Sequence, residues 1–186
     1  MEPAWIIVAV VVLIPVIWWI AVYNRITNLK NTTKESWADI DVELKRRYDL
    51  IPNLVETVKG YAKHETETLE RVAELRNVAM GNQGSAESQG RDESQLGVAM
   101  KTLFAVVEGY PELKSDANFR VLQEELAITE DRIAAARRFF NGNVRDLRNI
   151  LEAFPTSIVG RSMDVKMPTF FELDDGSERV VPRVDV

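Results

Sequence analysis

The sequence contains no cysteine and a single histidine. The first absence removes disulfide cross-links, thiolate metal sites and cysteine nucleophiles; the second removes the parts from which most imidazole metal centres and acid/base pairs are built. A basic surplus is missing too. Lys and Arg number 23 against 29 Asp and Glu, a net charge of -6, whereas a protein that grips a nucleic-acid backbone carries excess cations. Nucleic acid is therefore not an expected partner. There is no glycine-rich phosphate loop and no nucleophile elbow. "HETET", which begins at His64, lacks the second histidine that a zinc-binding HExxH places four residues on. One histidine likewise cannot furnish the paired Glu-x-x-His motifs of a carboxylate di-iron bundle. No catalytic, cofactor or metal site is expected, so the chain reads as a non-enzyme, with His64 at a surface helix position.

What is present begins with a long apolar run. The chain of 186 residues, 46% apolar, has room for one folded unit and an accessory segment. From Pro3 to Asn24, "PAWIIVAVVVLIPVIWWIAVYN" carries no charge, and as a helix rising about 1.5 Å per residue it spans roughly 30 Å, the thickness of a bilayer core. Trp5 stands at one end and Trp18, Trp19 and Tyr23 at the other, where amphipathic rings favour the membrane interfaces, and Arg25 comes next as a headgroup flank. Pro15 lies inside the span, a residue that membrane helices tolerate. A cleaved secretory signal would need a basic leader and a small-x-small cleavage site, and this sequence has neither. Residues 1–24 are expected to be an uncleaved single-pass anchor. Arg25, Lys30 and Lys34 lie just past it, which by the positive-inside rule leaves the N-terminus outside and the C-terminal part in the cytoplasm.

Beyond the anchor, apolar positions recur in steps of three and four, the period of one helix face: Trp37, Ile40, Leu44, Tyr48, Ile51, Leu54 or Val55, Val58 and Tyr61, then a gap at Glu65, then Leu69 and Val72. A second stripe runs through Leu96, Ala99, Leu103, Val106 and Tyr110. A third runs from Phe119 through Leu126, Thr129, Ile133, Phe140, Val144 and Leu147 to Phe154, about five heptads and long enough for coiled-coil-like packing. Residues 80–94, rich in Gly, Ser, Asn and Gln, predict a mobile solvent-facing loop. "GYPELKSDANF" at 109–119 predicts a tight reversal with Ser115 or Asp116 as N-cap. Gly142 marks a candidate kink in the third helix. The expected fold is all-α: a transmembrane helix continuing into an antiparallel bundle of three or four long helices over residues 25–160, then an extended tail, 161–186.

The stretch "LKRRYDLIPNLVETVKGYAKHE" at 44–65 admits several readings. Asp41 with Lys45 and Glu43 with Arg47 have the acid-first spacing that supports an exposed helix by roughly 0.2–0.5 kcal/mol per pair. If the helix is unbroken, Lys45 lies about 35 Å past Tyr23, well beyond the Debye length of about 8 Å that bounds contact with headgroups. The stretch is then either a solvated helix face or a patch, with Arg46, Tyr48 and Pro52, that meets a partner protein. Pro52 either kinks one long helix running to about Ala79, which the continuous register favours, or marks a reversal near "YDLIPN" that adds a fourth helix.

"YNRI" at 23–26, "SWADIDVELKRRYDLIPNLVETVKGYAKHE" at 36–65, "AVVEGYPELKSDANF" at 105–119, "LQEELAITEDRIAAARRFFN" at 122–141 and "FPTSIVG" at 154–160, in this order behind an apolar anchor, resemble the LemA family of bacterial membrane proteins. The resemblance covers roughly residues 20–160. It implies an α-helical, membrane-anchored protein of the bacterial inner membrane without enzymatic activity. Some relatives are encoded near membrane zinc proteases, and others act in the biogenesis of membrane organelles. It supplies no catalytic residues to transfer.

The tail, "RSMDVKMPTFFELDDGSERVVPRVDV", holds two prolines, the Phe170–Phe171 pair and alternating valines that include Val184. It either adds as an extended strand to a partner, with Pro182 limiting pairing to one side, or lies along its own bundle with both rings in a groove. The functional expectation is a membrane-anchored scaffold that self-associates, since an anchor concentrates copies in two dimensions. The alternative is a regulatory or substrate adaptor of a membrane protease, touching it through Arg46 and the tail.

Overall fold

A computed structural model describes residues 3–173, with 3–8 described by backbone alone. Six helices occur in order: α1 (Pro3–Tyr61), α2 (Thr66–Gly81), α3 (Ala86–Val107), α4 (Pro111–Ser115), α5 (Ala117–Glu152) and α6 (Thr156–Ser162). No strand occurs among the described residues, and the all-α class stands as expected. The chain gathers into two compact units whose boundaries fall inside α1 and α5: Met1–Ala38 with Arg138–Pro168, and Asp39–Arg137 with Thr169–Val186.

In the first unit, Val22 and Ile26 of α1 meet Leu147 and Ile150 of α5 and Val159 of α6, with Trp18, Leu29, Leu151, Met163 and Val165 packed around them. The α1 positions recur every three or four residues, so one helix stripe makes the contact. Trp37 and Phe140 set the α1–α5 register further along, their ring centroids 5.2 Å apart and their planes tilted by 58°. Gly160 packs closely on α5: a Cβ there would come within 2.8 Å of Leu151 Cδ2, so the Leu151 side chain would have to move. N-terminal to this core, the side chains from Ala9 to Ile20 are exposed except Trp18, in a helix long and apolar enough to cross a membrane.

The second unit buries Ile40, Leu44, Ile51, Leu54 and Val58 of α1 with Leu69, Val72 and Leu75 of α2, Leu96 and Leu103 of α3, Leu113 of α4, Phe119, Leu126 and Ile133 of α5, and Phe171 of the tail. Several expectations change here. The first long helix does not reach Ala79; it ends at Tyr61, and a turn at 62–65 leads into a separate α2. The lapse in the apolar stripe at Lys63–Glu65 is the break: Lys63 and His64 are exposed in the turn, so His64 is not on a helix, and Glu65 N–H donates to Ala62 O at 3.2 Å. Neither does the chain reverse at "YDLIPN". Pro52 sits inside unbroken α1 with its ring exposed, and the extra helix arises after Tyr61.

The loop expected over 80–94 is almost entirely helix. Only 82–85 connect α2 to α3, Ser85 caps α3 by accepting from Ser88 N–H at 3.2 Å, and Gln89, Gly90 and Glu93 are buried. Two of the polar residues of this stretch, Gln89 and Glu93, belong to a buried cluster, and the others lie on the outer side of α3 or in the short connection. At the next reversal Asp116 is the cap, accepting from Phe119 N–H at 2.9 Å, while the Ser115 hydroxyl donates to Glu112 O at 2.8 Å. α5 remains helical through Gly142. Its seam stops short of Phe154, which is 84% exposed.

Helix α6 carries the chain beyond the point where an extended tail was expected. Asp164 adopts the left-handed conformation, φ 44°, after which the chain has no regular secondary structure to Leu173. Thr169–Leu173 lies on the second unit: the Thr169 hydroxyl accepts from Glu87 N–H at 3.4 Å, and any Cβ at position 90 would collide with the Glu172 carbonyl oxygen. Gly90 thus lets the tail backbone cross α3 in contact with it. Val184 and Pro182 lie outside the described residues, as does the side chain of Trp5.

Candidate functional site

The least expected feature of the second unit is a polar cluster inside its core. Arg47, Glu93 and Gln89 are buried together with Tyr48. Arg47 Nη2 is ion-paired with Glu93 Oε2, and Arg47 Nη1 donates to Glu130 Oε2 at 2.7 Å; the Arg47 side chain is 8% exposed and that of Glu93 1%. The Tyr48 hydroxyl donates to Glu93 Oε1, and Gln89 Nε2 donates to Glu93 Oε1 at 2.9 Å, to Tyr48 Oη at 3.0 Å and to Ala79 O at 3.0 Å. Four helices, α1, α2, α3 and α5, are tied at one place. The positions result from local structure. Tyr48 belongs to the apolar stripe of α1 and Arg47 lies beside it, while Gln89 and Glu93 are one turn apart on α3, so both polar ends face the same gap.

A second tie explains Pro52. Proline has no N–H, so the carbonyl four residues back, that of Tyr48, loses its helical donor. Arg76 of α2 supplies one, its Nε donating to Tyr48 O at 2.6 Å. The helix continues past the proline because a neighbouring helix satisfies the acceptor it leaves open.

Burial pushes the Tyr48 phenol up to about 12, and its bond to a carboxylate suits the neutral form. At the exposed reversal, the backbone N–H of Phe119 and the hydroxyl of Tyr61, 3.0 Å away, hold the Asp116 carboxyl below its ordinary value. These are the shifts of a paired structural network. Glu93 is engaged by three donors, Arg47, Tyr48 and Gln89. Among the described residues no group of His, Asp and Glu is arranged to hold a metal ion.

The residues expected to meet partners divide. Tyr48 and Phe171 face the interior of their own unit, which corrects their assignment as contact residues. Phe170 is half-buried beside Phe171. Arg46 is half-exposed and paired with Glu125 Oε2 at 2.6 Å; Pro52 is exposed. The expected Glu43–Arg47 pair is replaced: Arg47 turns to Glu93 and Glu130, and Glu43 lies 3.8 Å from Arg132. On the anchor side, Trp18 is half-buried, and Trp19, Tyr23 and Arg25 are exposed. Sequence reasoning missed Gln89 and Glu93 as core residues. Their i, i+4 spacing beside Leu96 was the available signal, masked by the surrounding glycines and serines.

A cleft of about 390 Å³ opens beside the cluster between α3 and α5, lined by Arg47, Glu93, Lys101 and Glu130 together with Met100, Phe104 and Leu126.

Comparison with known sequences fits this architecture. The sequence model of the LemA family matches residues 36–186. Protein LemA of Metamycoplasma hominis is 23% identical over 163 residues, spanning 88% of this chain and 72% of that protein. Magnetosome protein MamQ of Magnetospirillum gryphiswaldense is 23% identical over 174 residues, spanning 80% of this chain and 64% of that protein.

Proposed function

This chain belongs to the LemA family, and from that premise we propose that it is a single-pass membrane-anchored helical scaffold whose copies associate through the outer face of α5, without catalysis. One observation carries the reading. Opposite its buried stripe, α5 presents a second, outward one at heptad spacing, Val121, Ile128 and Ala135, with Val121 60% and Ile128 37% exposed. A helix that is apolar on both sides is suited to a second partner helix. An anchor that confines copies to a membrane raises their effective concentration without any new contact. The exposed apolar run of α1 is the anchor, and Arg25, Lys30 and Lys34 behind it favour a cytoplasmic location for the helices beyond.

Mass measurement of the full chain after detergent extraction tests this. Assemblies at multiples of 21.1 kDa that fall to one copy in Val121→Glu/Ile128→Glu are expected. A monodisperse monomer of the unaltered protein at near-physiological concentration would overturn the scaffold.

The adaptor alternative, for a membrane protease, retains Arg46, Pro52 and the residues after Leu173 as its surface. Removing residues 174–186 discriminates between them. Loss of co-purifying partners with self-association intact favours the adaptor.

A further inference from the structure

Phe154 is the most open large apolar side chain among those described, 84% exposed, in the turn between α5 and α6; Ile158, one helical turn later, is 51% exposed. The corner that carries them is firmly held. Val159 is fully buried, Gly160 accommodates Leu151, and the Thr156 hydroxyl lies 2.6 Å from Ile150 O and 2.9 Å from Ala153 O, closing the end of α5. Two large apolar groups, one helical turn apart, are thus displayed outward by a fixed scaffold.

Its position names the partner. Val159 packs in the same cluster as Trp18 and Val22, the end of the apolar span. From the Trp37–Phe140 ring contact, Phe154 lies as many residues after Phe140 as Tyr23 lies before Trp37, so with equal rise along both helices Phe154 comes level with Tyr23. Cations flank both: Arg25 after the span and Arg161 in the last turn of α6, each exposed.

We propose that the α5–α6 corner is a second membrane contact, with Phe154 and Ile158 entering the interfacial layer of the bilayer that α1 crosses and Arg161 among the headgroups. The corner is continuous with the aromatic end of the anchor, and its aromatic, aliphatic and cationic groups are those that favour this layer. The inference rests on the anchor reading. A lone spanning helix is free to rotate about its axis; a second contact selects which face of the first unit meets the membrane.

Because the chain lacks cysteine, single labels can be placed cleanly. Phe154→Cys, Ile158→Cys, Val12→Cys within the span and Val42→Cys, exposed on α1 beyond it, each carry an NBD fluorophore in the full chain. The chains are reconstituted in phosphatidylcholine/phosphatidylglycerol vesicles. Labels at 154 and 158 should emit to the blue of 42, be quenched by lipids spin-labelled near the headgroup, and be several-fold less accessible to iodide. The label at 12 should be quenched by spin labels deep in the acyl region. Labels at 154 and 158 that match 42 while 12 remains in lipid overturn the corner contact and leave the anchor standing. Protection from iodide without quenching by lipid shows a protein covering and overturns it equally. If 12 is also open to iodide, the anchor and the corner fall together.

Discussion

The two units differ in how their most buried polar side chains are satisfied. In the first, the buried hydroxyls of Thr33 and Ser36 donate to carbonyls of their own helix, Leu29 O at 2.7 Å and Thr33 O at 2.9 Å, and the cluster around Val22 and Leu147 is wholly apolar. In the second, Arg47, Tyr48, Gln89 and Glu93 find their partners on other helices. Apolar packing tolerates small shifts of one helix past another, whereas a buried ion pair displaced by a turn leaves an unpaired charge. Fit holds the apolar cluster of the first unit. The second also has its register specified by chemistry, a role that buried polar groups have in some proteins.

Three measurements break or sharpen this contrast. The largest effect is expected from Glu93→Ala, which takes away the buried partner of Arg47, leaving it the exposed Glu130 alone, at a cost of roughly 3–5 kcal/mol in chemical denaturation. The double substitution Arg47→Met/Glu93→Leu should recover most of that loss, because it removes both charges. Leu147→Ala in the first unit should cost a comparable 2–5 kcal/mol or so, as a plain cavity, and no second substitution by a charged group should rescue it. A Glu93→Ala chain as stable as the unaltered one would remove the contrast.

Next comes Arg76→Met, which leaves the Tyr48 carbonyl without a donor beside Pro52 and should cost about 1–3 kcal/mol. In a Pro52→Ala background the restored N–H can satisfy that carbonyl, so the same substitution should cost measurably less. Equal losses in the two backgrounds would show that Arg76 acts by some route other than the open carbonyl.

The smallest effect is one of pH. The Tyr48 phenol has a folded value raised from 10.0 to about 12, so its contribution is complete below pH about 10 and is lost as pH climbs through about 12. Unfolding midpoints of the unaltered chain and of Tyr48→Phe, compared across that window, should converge with rising pH. A constant difference from neutral pH to 12 would contradict the placement of the phenol.

Legibility in the sequence was a matter of range. The stripe from Ile40 to Val58 and the capping Asp116 are local patterns, and both stand where spacing placed them. The apolar span is equally local. Arg47 was assigned a neighbour on its own helix because only that partner is visible along the chain; its real partners are contributed by α3 and α5. Composition misled at 80–94, where Gly90 and Gln89 look like loop residues and are in fact a backbone crossing and a buried donor. Phe154 fits the seam arithmetic, but α5 ends at Glu152 and the chain turns away before the ring can be covered.

The burial of Phe171 also orders events during synthesis. Chains leave the ribosome N-terminus first, at roughly 5–20 residues per second, so α1 to α4 wait several seconds for the ring that completes their interior. The second unit therefore closes only once codon 171 has been translated, and a ribosome stalled before it would hold helices around an unfilled interior.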